Sequence, residues 1–151
     1  MSNSTVFSPD FKEFVELLNL HKVDYLITGG YAVAVYGYPR YTGDLDFWVA
    51  STVENANKLV QVFHDYGLSS FGLKVEDFTK PEQIIQIGYP PFRIDVLTSI
   101  DGVLFEDAYP NKNIIEIDSI PTNFIGLNEL KKNKKASGRA KDLEDLRNLE
   151  K

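Results

Sequence analysis

The sequence predicts a mixed α/β domain of the α+β kind: a mixed sheet flanked by helices, with a pair of helices closing the chain. Three observations predict it. Short apolar runs that read as strands recur at 25–27, 44–50, 84–89, 92–97, 113–117 and 121–125, without strict alternation of strand and helix. Segments with helical spacing precede the first run, separate the second from the third, and close the chain. With 151 residues, 43% hydrophobic and 25% charged, the chain has the composition of an ordinary globular protein. That length suits one domain, 1–151, able to bury about 68–70% of its unfolded surface. The helices are expected largely on one side of the sheet.

The elements follow in order. Ser8, Pro9 and Asp10 read as a helix start, with Phe11, Phe14, Val15, Leu17 and Leu18 forming an apolar stripe. The run 25–27 is a buried strand that stops at Thr28, Gly29 and Gly30, and 31–36 is a short helix opening after the glycines. After the strand 44–50, Ser51 and Glu54 fit a capping box. Val53, Ala56, Leu59, Val60 and Phe63 then keep helical spacing until Gly67. A short helix over 75–80 leads into the strands 84–89 and 92–97, joined as a hairpin at Pro90 and Pro91. Two further strands precede closing helices within 127–149 that divide at Ser137 and Gly138.

The chemistry concentrates between residues 25 and 49. A Gly-Gly pair between strand and helix lets backbone approach a ligand closely, and the amides at the helix start favour an anion such as phosphate. Downstream, Asp44 and Asp46 flank Leu45 at the head of a strand. Side chains alternate along a strand, so the two carboxylates share one face while Leu45 and Phe47 face the core. Asp95 stands in the alternating run 92–97, with Arg93 on the same side. If Asp95 joins the other two, each pair of carboxylates about 4 Å apart repels by roughly 4 kcal/mol at an effective dielectric near 20. A bound cation removes that penalty, and three hard oxygen donors suit Mg²⁺. Arg93 is the competing source of positive charge.

Composition narrows the functions. There is no cysteine, so disulfides and thiolate metal sites are excluded. His21 and His64 are isolated and read as surface or cap residues. No apolar run approaches a membrane span, and the polar start of the chain has no secretory pattern, which leads us to expect a cytoplasmic protein. The net charge of −6 opposes a broadly basic nucleic-acid surface. Within 131–141, however, Lys131, Lys132, Lys134, Lys135, Arg139 and Lys141 form a dense positive segment, suited either to triphosphate or RNA or to a solvated helix face. Tyr31, Tyr36, Tyr38 and Tyr41 lie near enough in sequence to offer a ring to a base, or simply to pack.

The order Ile27, Thr28, Gly29, Gly30, then Asp44, Leu45, Asp46, Phe47 resembles the nucleotidyltransferase superfamily of the DNA polymerase beta type. Gly30 stands where many relatives carry a phosphate-binding serine. The run Arg40-Tyr41-Thr42-Gly43-Asp44-Leu45-Asp46 and the closing stretch 127–149 are similar to the minimal nucleotidyltransferases related to AbiEii-type toxins of type IV toxin–antitoxin systems. The resemblance implies a nucleotidyltransferase fold and transfer of a nucleoside monophosphate from a nucleoside triphosphate to an acceptor hydroxyl, with release of pyrophosphate. Mg²⁺, or Mn²⁺, would be held by Asp44, Asp46 and Asp95 as catalytic and metal-binding residues.

Gly29, Gly30, Arg40, Lys134 and Asp142 would be the nucleotide-binding set, with Asp145 completing the closing Lys-Asp-x-x-Asp pattern. For Asp142 and Asp145 the bland alternative is surface pairing with Lys141 or Arg139. The acceptor implied first is RNA, tRNA in particular, with a cognate antitoxin as partner. The alternatives are a small molecule such as an antibiotic, a protein hydroxyl, or a regulator that binds nucleotide without transfer.

Overall fold

In the computed structural model, residues 7–38, 43–89 and 92–151 are described. Helix α1 (Pro9–Leu20) is capped by Ser8, which accepts a hydrogen bond from the Phe11 amide at 3.3 Å, and it buries Phe11, Phe14, Val15 and Leu18. Strand β1 (Tyr25–Thr28) is buried along its whole length. Helix α2 (Gly29–Val35) starts at Gly29 itself, so both glycines belong to its first turn and do not form a separate turn ahead of Tyr31. The positive φ of Gly29, +70°, turns the chain from strand to helix without a loop.

Strand β2 (Asp44–Val49) leads to helix α3 (Val53–Asp65). Its cap is Thr52, which accepts from the Asn55 amide at 3.2 Å; the Ser51–Glu54 capping box does not form. The helix starts one residue later than predicted and leaves Val53 exposed on its first turn. This shift buries Asn55, which bonds the Asp24 amide and the carbonyls of Asp24 and Ala50, pinning α3 to the ends of β1 and β2.

Helix α4 (Val75–Thr79) precedes β3 (Ile84–Tyr89) and β4 (Phe92–Leu97), an antiparallel pair with the predicted bounds. Pro90 and Pro91, expected at its turn, lie outside the described residues. A four-residue helix, α5 (Phe105–Ala108), was not anticipated because it is too short to show a period. Strands β5 (Asn113–Ile117) and β6 (Ile120–Phe124) follow. Helices α6 (Leu127–Ser137) and α7 (Ala140–Leu149) close the chain, separated at Gly138 in the left-handed conformation. Among the described residues no helix is long and apolar enough to cross a membrane.

The six strands form one mixed sheet in the order β3-β4-β2-β1-β6-β5. β2 runs parallel to β4 and antiparallel to β1, and β1 runs parallel to β6. Helices cover both faces, not largely one. Phe47 points to α1, where its ring lies 5.2 Å from Phe14, while Trp48 points the other way onto Phe105 of α5 at 5.1 Å. Central β2 is therefore apolar on both sides at its C-terminal end and carries its acids only at its head. His21 and His64 are ordinary surface groups, both bonded to the Asp65 carboxylate, at 2.6 and 3.4 Å.

Candidate active site

Strand register assembles the acids. In the parallel pair β2–β4, Asp46 stands opposite Asp95 and Asp44 opposite Arg93. The period of two then places Asp44, Asp46, Arg93 and Asp95 on one face. The three aspartates line a cleft of about 820 Å³, and Gly29, Gly30, Lys134 and Asp142 line it as well. The predicted site residues thus meet in one place, apart from Arg40, which lies outside the described residues together with Tyr41.

The floor of the cleft carries more negative charge than it neutralises. Arg93 donates through Nε to Asp95 Oδ1 at 2.9 Å, and through Nη2 to Asp44 Oδ2 at 3.0 Å and Asp95 Oδ2 at 3.1 Å. The hydrogen bond to Asp95, then its charge, holds the guanidinium in its protonated form. Asp46 has no such partner among the described residues. Burial first, then the charges of Asp95 and Asp44 and a hydrogen bond shared with Asp95, push its carboxyl up to about 7.

Among the described residues no three carboxylates or imidazoles converge on one point as an ion requires. Here Arg93 ties Asp44 to Asp95. The donor set nevertheless fits a hard divalent cation: all its donors are carboxylate oxygens, and its surplus charge disfavours ionised Asp46 until a cation arrives. A cation would therefore compete with Arg93 for Asp44 and Asp95. Arg93→Met is expected to bind Mn²⁺ several-fold more tightly than the wild type by calorimetry, and to melt at a lower temperature without metal. Unchanged Mn²⁺ affinity would show that Arg93 does not compete.

Gly29 is required twice. A Cβ there would overlap Asp46 Oδ2, and the backbone is left-handed. Gly29→Ala should cost about 1–2 kcal/mol of stability from the backbone alone. It should also reduce activity by displacing Asp46, which a urea melt beside a turnover assay would separate.

The C-terminal helices bring a buried ionic cluster to the cleft wall. Lys134, only 4% exposed, places its Nζ 3.0 Å from Asp142 Oδ1 and 3.1 Å from Asp145 Oδ2. Asp142 Oδ2 accepts from Ser137 Oγ at 2.6 Å and from Arg139 Nε at 2.9 Å. Burial alone would raise the Asp142 carboxyl, but hydrogen bonds from Ser137, Lys134 and Arg139 outweigh it and bring the group down to about 2. The surface pairing considered for Asp142 and Asp145 holds only in part: Asp142 does pair with Arg139, but both acids are buried around Lys134. Their i,i+3 spacing, just past a Gly turn from a lysine, was the available signal. The basic segment does not act as one surface. Lys134 is enclosed, Lys132 faces a separate groove, and Arg139 and Lys141 line the cleft.

Sequence reasoning missed the loops around β3 and β4. Glu82, Gln83, Ser99 and Asp101 also line the cleft. Glu82 has a φ of +57° and donates its amide to Ser99 Oγ at 3.0 Å. No periodicity or motif marks such loop residues. None of the described residues lining the cleft is aromatic. Tyr31 packs on Phe7 and Phe11, and Tyr36 donates to the Ile125 carbonyl at 2.6 Å, so these rings serve packing and tethering.

No protein-family model and no curated protein matches the chain. Solved structures do. A candidate nucleotidyltransferase, TM1012 from Thermotoga maritima, superposes with a TM-score of 0.60 at 15% identity, covering 98% of this chain and 97% of that one. The lincosamide antibiotic adenylyltransferase LnuA, solved with lincomycin, gives 0.55 at 15% identity, covering 97% and 98%. An antigenic nucleotidyltransferase-like protein from Paracoccidioides brasiliensis gives 0.56 at 17% identity, covering 93% and 74%. Likeness at this level of identity establishes the nucleotidyltransferase fold.

Proposed function

We propose that this protein is a metal-dependent nucleotidyltransferase that moves a nucleoside monophosphate from a nucleoside triphosphate to an acceptor hydroxyl, acting in the cytoplasm. The observation that carries the reading is the register of β2 against β4, which sets Asp46 beside Asp95 and near Asp44 in a cleft whose lip is Gly29 and Gly30. Mg²⁺ or Mn²⁺ held by Asp44, Asp46 and Asp95 would neutralise the triphosphate and lower the pKa of the acceptor hydroxyl. Gly29 leaves room for the Asp46 carboxylate and Gly30 for the phosphates. An ammonium has three donors, and Asp142 and Asp145 take two of those on Lys134, leaving one for a nucleotide oxygen. Once released by Arg93, Asp95 would accept the acceptor's proton.

For the acceptor, the cleft favours a compact hydroxyl compound over RNA. Glu82 and Asp101 line the cleft, and on a chain of net charge −6 they repel a polyanion. The fold likeness to a lincosamide adenylyltransferase over nearly its full length is in keeping with a compact acceptor. The second reading keeps tRNA as acceptor, within a toxin–antitoxin pair that would supply a protein partner. It is favoured by the exposed Arg139 and Lys141 at the cleft.

The test is incubation with each α-labelled nucleoside triphosphate, Mg²⁺ or Mn²⁺, and either total tRNA or a panel of small hydroxyl compounds, beside an Asp44→Ala, Asp46→Ala variant. Label entering a small compound only with intact aspartates supports the first reading, and label entering tRNA supports the second. Metal-dependent nucleotide binding without transfer to any acceptor would leave a nucleotide-binding regulator.

A further inference from the structure

Thr28 ends β1 immediately before Gly29 and is 4% exposed. It occupies the cap position of α2, yet its side chain makes no capping hydrogen bond. Its Oγ1 has no hydrogen-bond partner among the described residues. Leaving a buried hydroxyl unpaired costs stability. Valine has nearly the same shape and suits a buried strand at least as well, so threonine here calls for a reason. Thr28 also lines the cleft.

Register shows what the hydroxyl stands beside. Thr28 is directly opposite Asp46 in the antiparallel pair β1–β2. Directly opposed residues project from the same face, with Cβ atoms about 4.5–5.5 Å apart. The Asp46 carboxylate folds back over the adjacent Gly29, the residue that follows Thr28. In this structure the Asp46 side chain stands opposite Asp95 across β2–β4, and Arg93 bonds Asp44 and Asp95. A cation held by Asp46 and Asp95 would draw carboxylate oxygens of both, and the remaining Asp46 lone pairs would then take a donor.

We infer that Thr28 is a positioning residue of the site, whose hydroxyl donates a hydrogen bond to the Asp46 carboxylate once that carboxylate binds a divalent cation. The donor selects which Asp46 oxygen faces the ion. This inference rests on the metal-dependent reading above. Outer hydrogen bonds of this kind typically change metal affinity by 10–100-fold when removed.

The experiment titrates full-length protein with Mn²⁺, without nucleotide, counting free Mn²⁺ by electron paramagnetic resonance for the wild type, Thr28→Val and Thr28→Ser. Melting temperatures are measured without metal. We expect Thr28→Val to bind Mn²⁺ at least about 10-fold more weakly, with an unchanged or higher melting temperature, and Thr28→Ser to bind like the wild type. If Thr28→Val does not fold, Thr28→Ala against Thr28→Ser makes the same comparison. Wild-type affinity in the variant lacking the hydroxyl overturns the inference and leaves Thr28 a packing imperfection. A wild type that binds no Mn²⁺ overturns the metal-dependent reading together with the inference, and this is seen before any substitution is compared.

Discussion

Replacing Asp46 by asparagine is expected to lower nucleotidyl transfer by about three orders of magnitude, equivalent to about 4 kcal/mol of transition-state stabilisation, and at the same time to stabilise the metal-free fold. Both effects come from one carboxylate. Asp46 faces Asp95 across β2–β4, and burial with two neighbouring acids brings its carboxyl up to about 7. Because the folded-state value lies above the unfolded value, ionised Asp46 destabilises the fold fully above pH 7. The penalty disappears as pH falls toward about 4, where the unfolded chain also takes up the proton. The asparagine variant should therefore be more stable by about 1–3 kcal/mol above pH 7, after allowance for solvent screening, and level with the wild type near pH 4. Urea melts at both pH values measure this. A variant that loses stability at high pH would contradict the charge surplus from which the metal site is argued.

The largest loss of stability is expected at Lys134. Lys134→Met leaves Asp142 and Asp145 buried without their shared cation, which should cost about 3–5 kcal/mol. Combining it with Asp142→Asn and Asp145→Asn should recover much of that, because the uncompensated charges are then gone. The wild type should also show acid lability from this cluster. With its folded value near 2, Asp142 contributes stability that is complete above about pH 4 and is lost as pH falls through 2. In Lys134→Met the loss should begin at higher pH, since one of the three donors holding Asp142 ionised is missing. A denaturation midpoint for Lys134→Met equal to the wild type's would show that the cluster is not buried as described.

Local patterns made most of this legible. Ser8 and Pro9 announce α1, alternation in 92–97 announces β4, and the spacing of Asp44 and Asp46 places two acids on one face whatever the rest of the chain does. Asp95 stands in a later alternating run, and parallel pairing of that strand with β2 brings it opposite Asp46. Elsewhere the signal was insufficient. Ser51 and Thr52 are both competent caps, and the burial of Asn55 between Asp24 and Ala50, a long-range contact, decides between them. The lysines of 131–141 look alike in the sequence, and only the packing of α6 against α7 separates buried Lys134 from exposed Lys132 and Lys135.

By itself the sequence determined the strands and the longer helices to within a residue or two, the order of glycines and acids, and the side of each strand on which an acid stands, because these follow from turns, caps and periods acting over a few residues. Tertiary structure alone decided that Arg93 ties Asp44 to Asp95, that Asp46 has no ion-pair partner among the described residues, that Lys134 sits between Asp142 and Asp145, and that the buried Thr28 hydroxyl beside Asp46 has no hydrogen-bond partner among the described residues. Each depends on distances between residues far apart in the chain. Coulombic and hydrogen-bond energies change steeply over those few ångströms.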